Sequence, residues 1–234
     1  MGAMRFFCPC AARMQVRIIS YILCSEGLVR LYKGIGTVLA AAIAFAFVSS
    51  STIAQKAIES EALLQERSIG SPDAPVTVVE YFSLTCPACA SFHNDVYGDL
   101  KEKYVDTGKV RFVYSEFPRD GVDLRAGMMA RCADPRRYSG LIQVLFKNQP
   151  NWTRSNDPVG EISKIGRLAG IDDELFTACL QSEQLADGIL EGRQAASAIG
   201  VRSTPTFGIN GRLFPGTLSI EEFSEIIDPL LANN

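Results

Sequence analysis

The sequence predicts an α/β chain: a strand–helix–strand unit, an inserted all-helical block, then a hairpin and a last helix. Three observations predict it. Val76–Phe82 and Val110–Phe117 are β-branched and aromatic runs flanking a segment with an apolar residue every four positions. Residues 119–199 hold only short helical patterns and no convincing strand. Thr204–Phe214 returns to strand character around Asn210-Gly211, the dipeptide that a tight type I′ hairpin demands.

The first 54 residues differ in character from the rest. Up to Gly34 the chain carries Arg5, Arg13, Arg17, Arg30 and Lys33 against Glu26 alone, and Ile35–Val48 has no charge. Small residues then follow through Ser49-Ser-Ser-Thr-Ile-Ala54. A basic flank, an apolar run and a small-residue exit make a secretory signal, expected to be cleaved after Ala54 because its second part is serine-rich. An uncleaved membrane anchor is the competing reading of the uncharged stretch. Cys8, Cys10 and Cys24 fall in the segment to be discarded and receive no function. The formal charge of the full chain is -3 and the pI about 5.3. Without residues 1–54 there remain 18 Lys and Arg against 25 Asp and Glu, a charge of -7. An acidic chain of this kind is not built for nucleic acid or for an anionic membrane surface. Export places it in an oxidising compartment, the periplasm, where disulfides persist.

The exported part divides further. Residues 55–75 are a polar lead-in ending in Gly70-Ser-Pro-Asp-Ala-Pro75. In Val76–Phe82 the one charge is Glu80, and Phe92, Val96, Leu100 and Tyr104 line one face of a helix running from Cys86 to about Tyr104. Val110–Phe117 closes a parallel strand–helix–strand unit, which is right-handed by default. Within the insert, Leu124–Cys132, Tyr138–Phe146, Val159–Leu168, Asp172–Gln181 and Leu185–Ile199 read as helices. Acids at Asp172-Asp-Glu suit a helix start. Gln149-Pro-Asn-Trp-Thr reads as a loop in which Trp152 is an anchor against the insert, or the lining of a peptide groove. Ser219-Ile-Glu-Glu carries a capping-box pattern and opens a last helix with Phe223, Ile226, Ile227 and Leu230 inward.

Chemistry concentrates in Ser83-Leu-Thr-Cys-Pro-Ala-Cys-Ala-Ser-Phe-His93. A metal centre needs more ligands than the chain offers: His93 is its single histidine and no second Cys-x-x-Cys exists. A staple closing so short a loop removes little unfolded-state entropy. Redox chemistry fits the placement. Cys86 stands at a helix N-cap with Pro87 at N1, so free N–H groups and the positive end of the helix dipole favour its thiolate. Cys89, one turn on and more buried, is the resolving partner. His93 shares their helix face but lies two turns below Cys86, and reads as a structural helix residue. The remaining exported cysteines, Cys132 and Cys179, are expected to form a second, structural disulfide; two free thiols used as small core residues are the alternative.

Val79-Glu-Tyr-Phe-Ser-Leu-Thr-Cys-Pro-Ala-Cys89, with Ser203-Thr-Pro-Thr-Phe207 far downstream, resembles the thioredoxin superfamily. The helical block between them makes the chain similar to the DsbA-type thiol:disulfide oxidoreductases, in their alphaproteobacterial-like form, over roughly residues 70–232. The resemblance implies a thioredoxin fold with an inserted helical domain, formed by 76–118 with 200–234 and interrupted by 119–199. It implies a redox pair of Cys86 and Cys89 and no cofactor. Thr204-Pro205 is then a cis peptide beside that pair, and the Thr204 backbone joins Pro87, Ala88 and Pro205 in receiving a substrate peptide. Glu80 matches the family's buried acid, which carries the proton of Cys89; an edge-strand glutamate facing water is the competing reading. The best-known members have histidine where this chain has Ala88, so a milder oxidant is expected. The partners so implied are folding exported proteins with cysteines and a membrane reoxidase of the DsbB type, for a monomeric dithiol oxidase. An isomerase or reductase, and a non-catalytic assembly factor, are the alternatives.

Overall fold

The computed structural model describes residues 61–232. The predicted signal, Cys8, Cys10 and Cys24 lie outside the described residues. Among those described, no helix is long and apolar enough to cross a membrane.

A five-stranded sheet forms the centre. Its strands are β1 (Arg67–Ile69), β2 (Val76–Phe82), β3 (Val110–Glu116), β4 (Thr206–Ile209) and β5 (Arg212–Pro215). Their spatial order is β1-β3-β2-β4-β5, with β2 and β3 parallel and the other pairs antiparallel. Strand alternation then sorts the side chains of the middle strand: Val76, Val78, Glu80 and Phe82 are buried, while Thr77, Val79 and Tyr81 are half-buried on the other face. β1 falls inside 55–75, where the sequence predicts only a polar lead-in; three residues carry too short a pattern to stand out. In the β4–β5 hairpin, Asn210 (φ 43°) and Gly211 (φ 84°) both take the positive φ that a type I′ turn requires.

The helix predicted from Cys86 to Tyr104 is broken in three. It comprises α1 (Pro87–Asp95), α2 (Tyr97–Leu100) and a π-helical turn, Lys101–Val105. The break falls at Val96, after Asn94 and Asp95 and before Gly98, a run of weak helix formers. Buried contacts then set the direction of each piece. Tyr97 and Tyr114 meet through their hydroxyls at 2.6 Å, and the Tyr104 hydroxyl donates to Asp228 at 2.8 Å.

The insert contains α3 (Gly121–Arg131), α4 (Pro135–Lys147), α5 (Gln149–Thr153), α6 (Pro158–Leu168), α7 (Asp173–Leu180) and α8 (Glu183–Ala198). Asp120, Asp134, Asp157, Asp172 and Ser182 cap five of these starts through their side chains. α5 corrects the predicted loop at 149–153: Pro150 sits in its first turn, where proline fits a helix. Trp152 is buried and donates to the Leu145 carbonyl at 2.9 Å, the contact of an anchor. The insert is tied to the sheet by a buried pair in which Arg131 donates twice to Glu116, both at 2.6 Å, with the Tyr138 hydroxyl adding a bond at 2.7 Å. Cys132, just after α3, is bonded to Cys179 of α7 beside Met128, Leu185 and Ile189.

The last helix, α9 (Ile220–Ala232), starts at a reciprocal box: Glu222 N–H donates to Ser219 Oγ at 3.2 Å and Ser219 N–H to Glu222 Oε2 at 2.8 Å. One face of the sheet carries an aromatic core that joins three elements. Phe207 of β4 lies 4.7 Å from Phe92 of α1 and 5.0 Å from Phe223 of α9. This packing seats the N-terminus of α1 at the carboxyl end of β2, where the chemistry lies.

Candidate active site

Leaving β2 at Phe82, the chain turns through Ser83–Thr85 into α1. The Cys86 N–H donates to the Ser83 carbonyl at 3.1 Å, and the Cys86 carbonyl accepts the N–H of Ala90 at 3.2 Å. Cys86 is thus the extended N-cap residue (φ -83°, ψ 119°) and Pro87 follows inside the helix. Pro87 and Ala88 are exposed, while Cys89 is wholly buried. Both cysteines are free thiols. Across from them, Thr204-Pro205 is a cis peptide, and Cys86 Sγ lies 3.2 Å from the Thr204 carbonyl oxygen, a bond that only the protonated thiol donates.

The two sulfurs are electrostatically unlike. The Cys89 thiol donates to Cys86, and this bond, helped by the Thr204 side chain and by the N–H groups of Cys89 and Ala88, outweighs burial and lowers the Cys86 thiol to about 4. Burial pushes Cys89 far up, and its bond to Cys86 and the negative charge of Glu80 push the same way. At neutral pH the pair therefore holds one proton, on Cys89. A sulfur so stabilised as thiolate is a good leaving group, and its protonated neighbour is held one helical turn away.

Two side chains from the insert hold the corner in place. Asp123 of α3 accepts the Leu84 N–H at 2.8 Å, the Ser83 hydroxyl at 2.5 Å and the Arg119 N–H at 2.9 Å. Its own carboxyl is raised to about 6, chiefly by burial. Gln149 of α5 donates to both the Leu84 carbonyl (2.8 Å) and the Cys86 carbonyl (2.9 Å). These bonds pair the Leu84 N–H and carbonyl in a buried strand-to-helix turn and give the Cys86 carbonyl a second donor beside Ala90.

Glu80 lies deeper. It sits on the middle strand, opposite Tyr114 of β3 and Phe207 of β4, and none of it is exposed. An edge position facing water is therefore excluded. One carboxylate oxygen meets Nε2 of His93 at 2.8 Å, and Oε1 has no hydrogen-bond partner among the described residues. Among the described residues no group of three or more His, Cys, Asp and Glu side chains is arranged to hold a metal ion.

Residues 63–229 match the model of a family described as thioredoxin. The chain belongs to the thioredoxin family. Within it the chain is of the DsbA type. A Rickettsia felis protein named for protein-disulfide oxidoreductase activity is 34% identical over 165 residues. That match takes in 70% of this chain but 59% of the relative, so the chain spans well under the relative's full length. The crystal structure of Wolbachia pipientis alpha-DsbA1 superposes with a TM-score of 0.68 at 28% identity, over 72% of this chain and 92% of that one. A protein-disulfide isomerase from Novosphingobium aromaticivorans gives 0.61 at 26%, over 70% and 97%.

In this thioredoxin-family chain the structure brings Cys86, Pro87, Ala88, Cys89, Thr204 and Pro205 to one corner, although 118 positions separate Cys86 from Thr204. Glu80 sits below that corner. The Cys132–Cys179 bond joins α3 to α7 and lies on neither element that carries the redox pair. Sequence reasoning missed Asp123 and Gln149, and gave His93 only a structural place. Asp123 follows a capping aspartate by three positions, and Gln149 precedes a proline. Neither pattern marks a residue that reaches another segment.

Proposed function

We propose that the chain is a protein dithiol oxidase, acting through Cys86 and Cys89. The observation that carries this reading is the unlike pair of sulfurs at the N-terminus of α1, with Cys86 lowered to about 4 and facing Thr204. A reduced form that holds a stable thiolate gives up electrons reluctantly, which makes the disulfide form an oxidant.

The reaction follows from the geometry. A substrate thiolate attacks Sγ of Cys86 in the oxidised pair; the Cys86–Cys89 bond breaks, and Cys89 leaves with its electron pair and takes a proton. Glu80 is the carrier of that proton. A second substrate thiol, once deprotonated, attacks the substrate sulfur of the mixed disulfide and releases Cys86 as thiolate. The substrate has lost two electrons, which the reduced pair returns to a membrane reoxidase of the DsbB type. The exposed Pro87 and Ala88 and the Thr204-Pro205 turn flank Cys86 where a substrate peptide passes, and the Thr204 backbone pairs with it as an added strand would. Substrates are folding exported proteins with cysteines, met in the periplasm after the signal before Gln55 has been cleaved. The enzyme works as a monomer. Cys132–Cys179 stiffens the insert.

An isomerase is the second reading, favoured by the name of the Novosphingobium relative. Thiol trapping in cells separates the two. An oxidase is recovered mostly with Cys86 and Cys89 bonded; a mostly reduced pair identifies an isomerase or reductase. Fractionation that finds the full-length chain in the cytosol contradicts export.

A further inference from the structure

We propose that His93 is the positioning residue of Glu80: its imidazole, oriented by Gln143, binds one carboxylate oxygen and leaves the other to exchange a proton with Cys89. This rests on Glu80 being the proton carrier of the reaction above.

Three elements meet here. Glu80 comes from β2, His93 from α1 and Gln143 from α4. The side chains of Glu80 and His93 are both 0% exposed, and Nε2 lies 2.8 Å from Oε2. On the other side of the ring, the Gln143 amide nitrogen lies 2.6 Å from Nδ1. An amide nitrogen only donates, so Nδ1 is the acceptor and the ring proton sits on Nε2, where it donates to Glu80. The ring has no freedom to turn. It stacks on Phe146 at 4.2 Å and on Tyr97 at 5.0 Å, with Phe82 and Phe92 against its edges.

Among the described residues Glu80 Oε1 is left without a partner, a costly state for a buried oxygen and an available one for a proton. The other titratable groups close to the Glu80 charge are Cys89, Tyr97 and Tyr114. Burial is the main cause that raises all three, and the Glu80 charge adds to it, so each is neutral at pH 7. In the mixed disulfide Cys86 is bonded to the substrate and cannot take a proton, so Glu80 Oε1, without a partner among the described residues, is assigned as the exchange partner of Cys89. As the disulfide opens, Oε1–H passes its proton to the departing Cys89 thiolate, and the carboxylate so formed is stabilised through Oε2 by the Nε2–H of His93. In the reverse direction Cys89 returns the proton to Oε1. Only a proton moves in this step; the two electrons come from the substrate thiols.

His93 is the single histidine of the chain, so a protein labelled with 15N-histidine shows one imidazole. The expected spectrum is the neutral tautomer protonated at Nε2. A tautomer protonated at Nδ1, or an imidazolium at neutral pH, overturns the proposal, and this measurement needs no substitution. For rates of dithiol oxidation, His93→Leu is expected to slow the reaction roughly tenfold, within the range of acid–base effects. His93→Gln restores most of it, because its amide also donates. In a Glu80→Gln background His93→Leu adds no further loss. Independent losses that multiply mean that His93 acts by packing alone, and overturn the proposal. If Glu80→Gln is slow and His93→Leu is not, the positioning role fails while the carrier reading stands. If Glu80→Gln has the ordinary rate, the carrier reading fails and takes this proposal with it.

Discussion

Two pairs of cysteines share this chain and have opposite characters. Cys132 and Cys179, 47 positions apart, are bonded across two helices within an apolar cluster. Cys86 and Cys89 lie within one helical turn, unbonded, at a corner whose neighbours Pro87 and Ala88 are exposed. The atoms are the same; the surroundings decide what they do. A long loop gives a disulfide entropy to remove from the unfolded chain. A short one gives little, but the hydrogen bond from Cys89 to Cys86, backed by N–H groups at the helix N-terminus, and the burial of Cys89 separate their proton affinities. One helix connects the two places. α3 begins beside the redox corner, where Asp123 braces Ser83 and Leu84, and is followed directly by Cys132.

The comparison breaks most visibly through activity. Cys86→Ser is expected to abolish oxidation of a reduced peptide, whereas Cys132→Ala with Cys179→Ala retains it. Loss of turnover in the second variant, while it remains folded, would erase the distinction. Stability sharpens it next: the Cys132/Cys179 double variant is expected to lose about 4 kcal/mol in urea unfolding, from the entropy of a loop of this length. Asp123→Asn probes the connecting helix. Its carboxyl is raised to about 6, so between about pH 4 and 6 the folded protein holds a proton that the unfolded chain releases. Its contribution to stability therefore falls as pH rises through that window, by about 3 kcal/mol at most. The asparagine variant should flatten that slope, and an unchanged slope in urea melts across the window counts against the assignment. The smallest effect concerns Ala88→His, which adds a charge or hydrogen bond beside Cys86. Each roughly 1.4 kcal/mol gained by the thiolate raises the potential by about 30 mV, readable by glutathione titration. A potential that is unchanged or more reducing means that position 88 does not set the poise.

Most of the scaffold was legible because its signals are local. The β-branched and aromatic strand Val76–Phe82, the Asn210-Gly211 turn and the Ser219–Glu222 box each lie within a few residues, and each took the predicted form. What escaped depends on distant partners. Residues 67–69 become a strand only because β3 offers an edge, and the helix after Cys86 breaks at Val96 where Tyr97 and Tyr104 turn toward Tyr114 and Asp228. The redox corner was visible as Cys-Pro-Ala-Cys on a strand-to-helix turn. Its supports were not: Asp123 and Gln149 bond to backbone atoms 39 and 65 positions away, and no spacing along the chain announces such a contact. His93 was placed correctly on the helix face, yet its partners are contributed by a strand and by the insert.

The account rests on the inequality of the two sulfurs. The most direct test is a titration of thiolate absorbance in the reduced protein, with the oxidised protein as reference. One sulfur, identified as Cys86 by its loss in Cys86→Ser, should titrate near pH 4, and Cys89 should remain protonated across the accessible range. A Cys86 thiol that titrates in the ordinary range, near 9, would contradict the account.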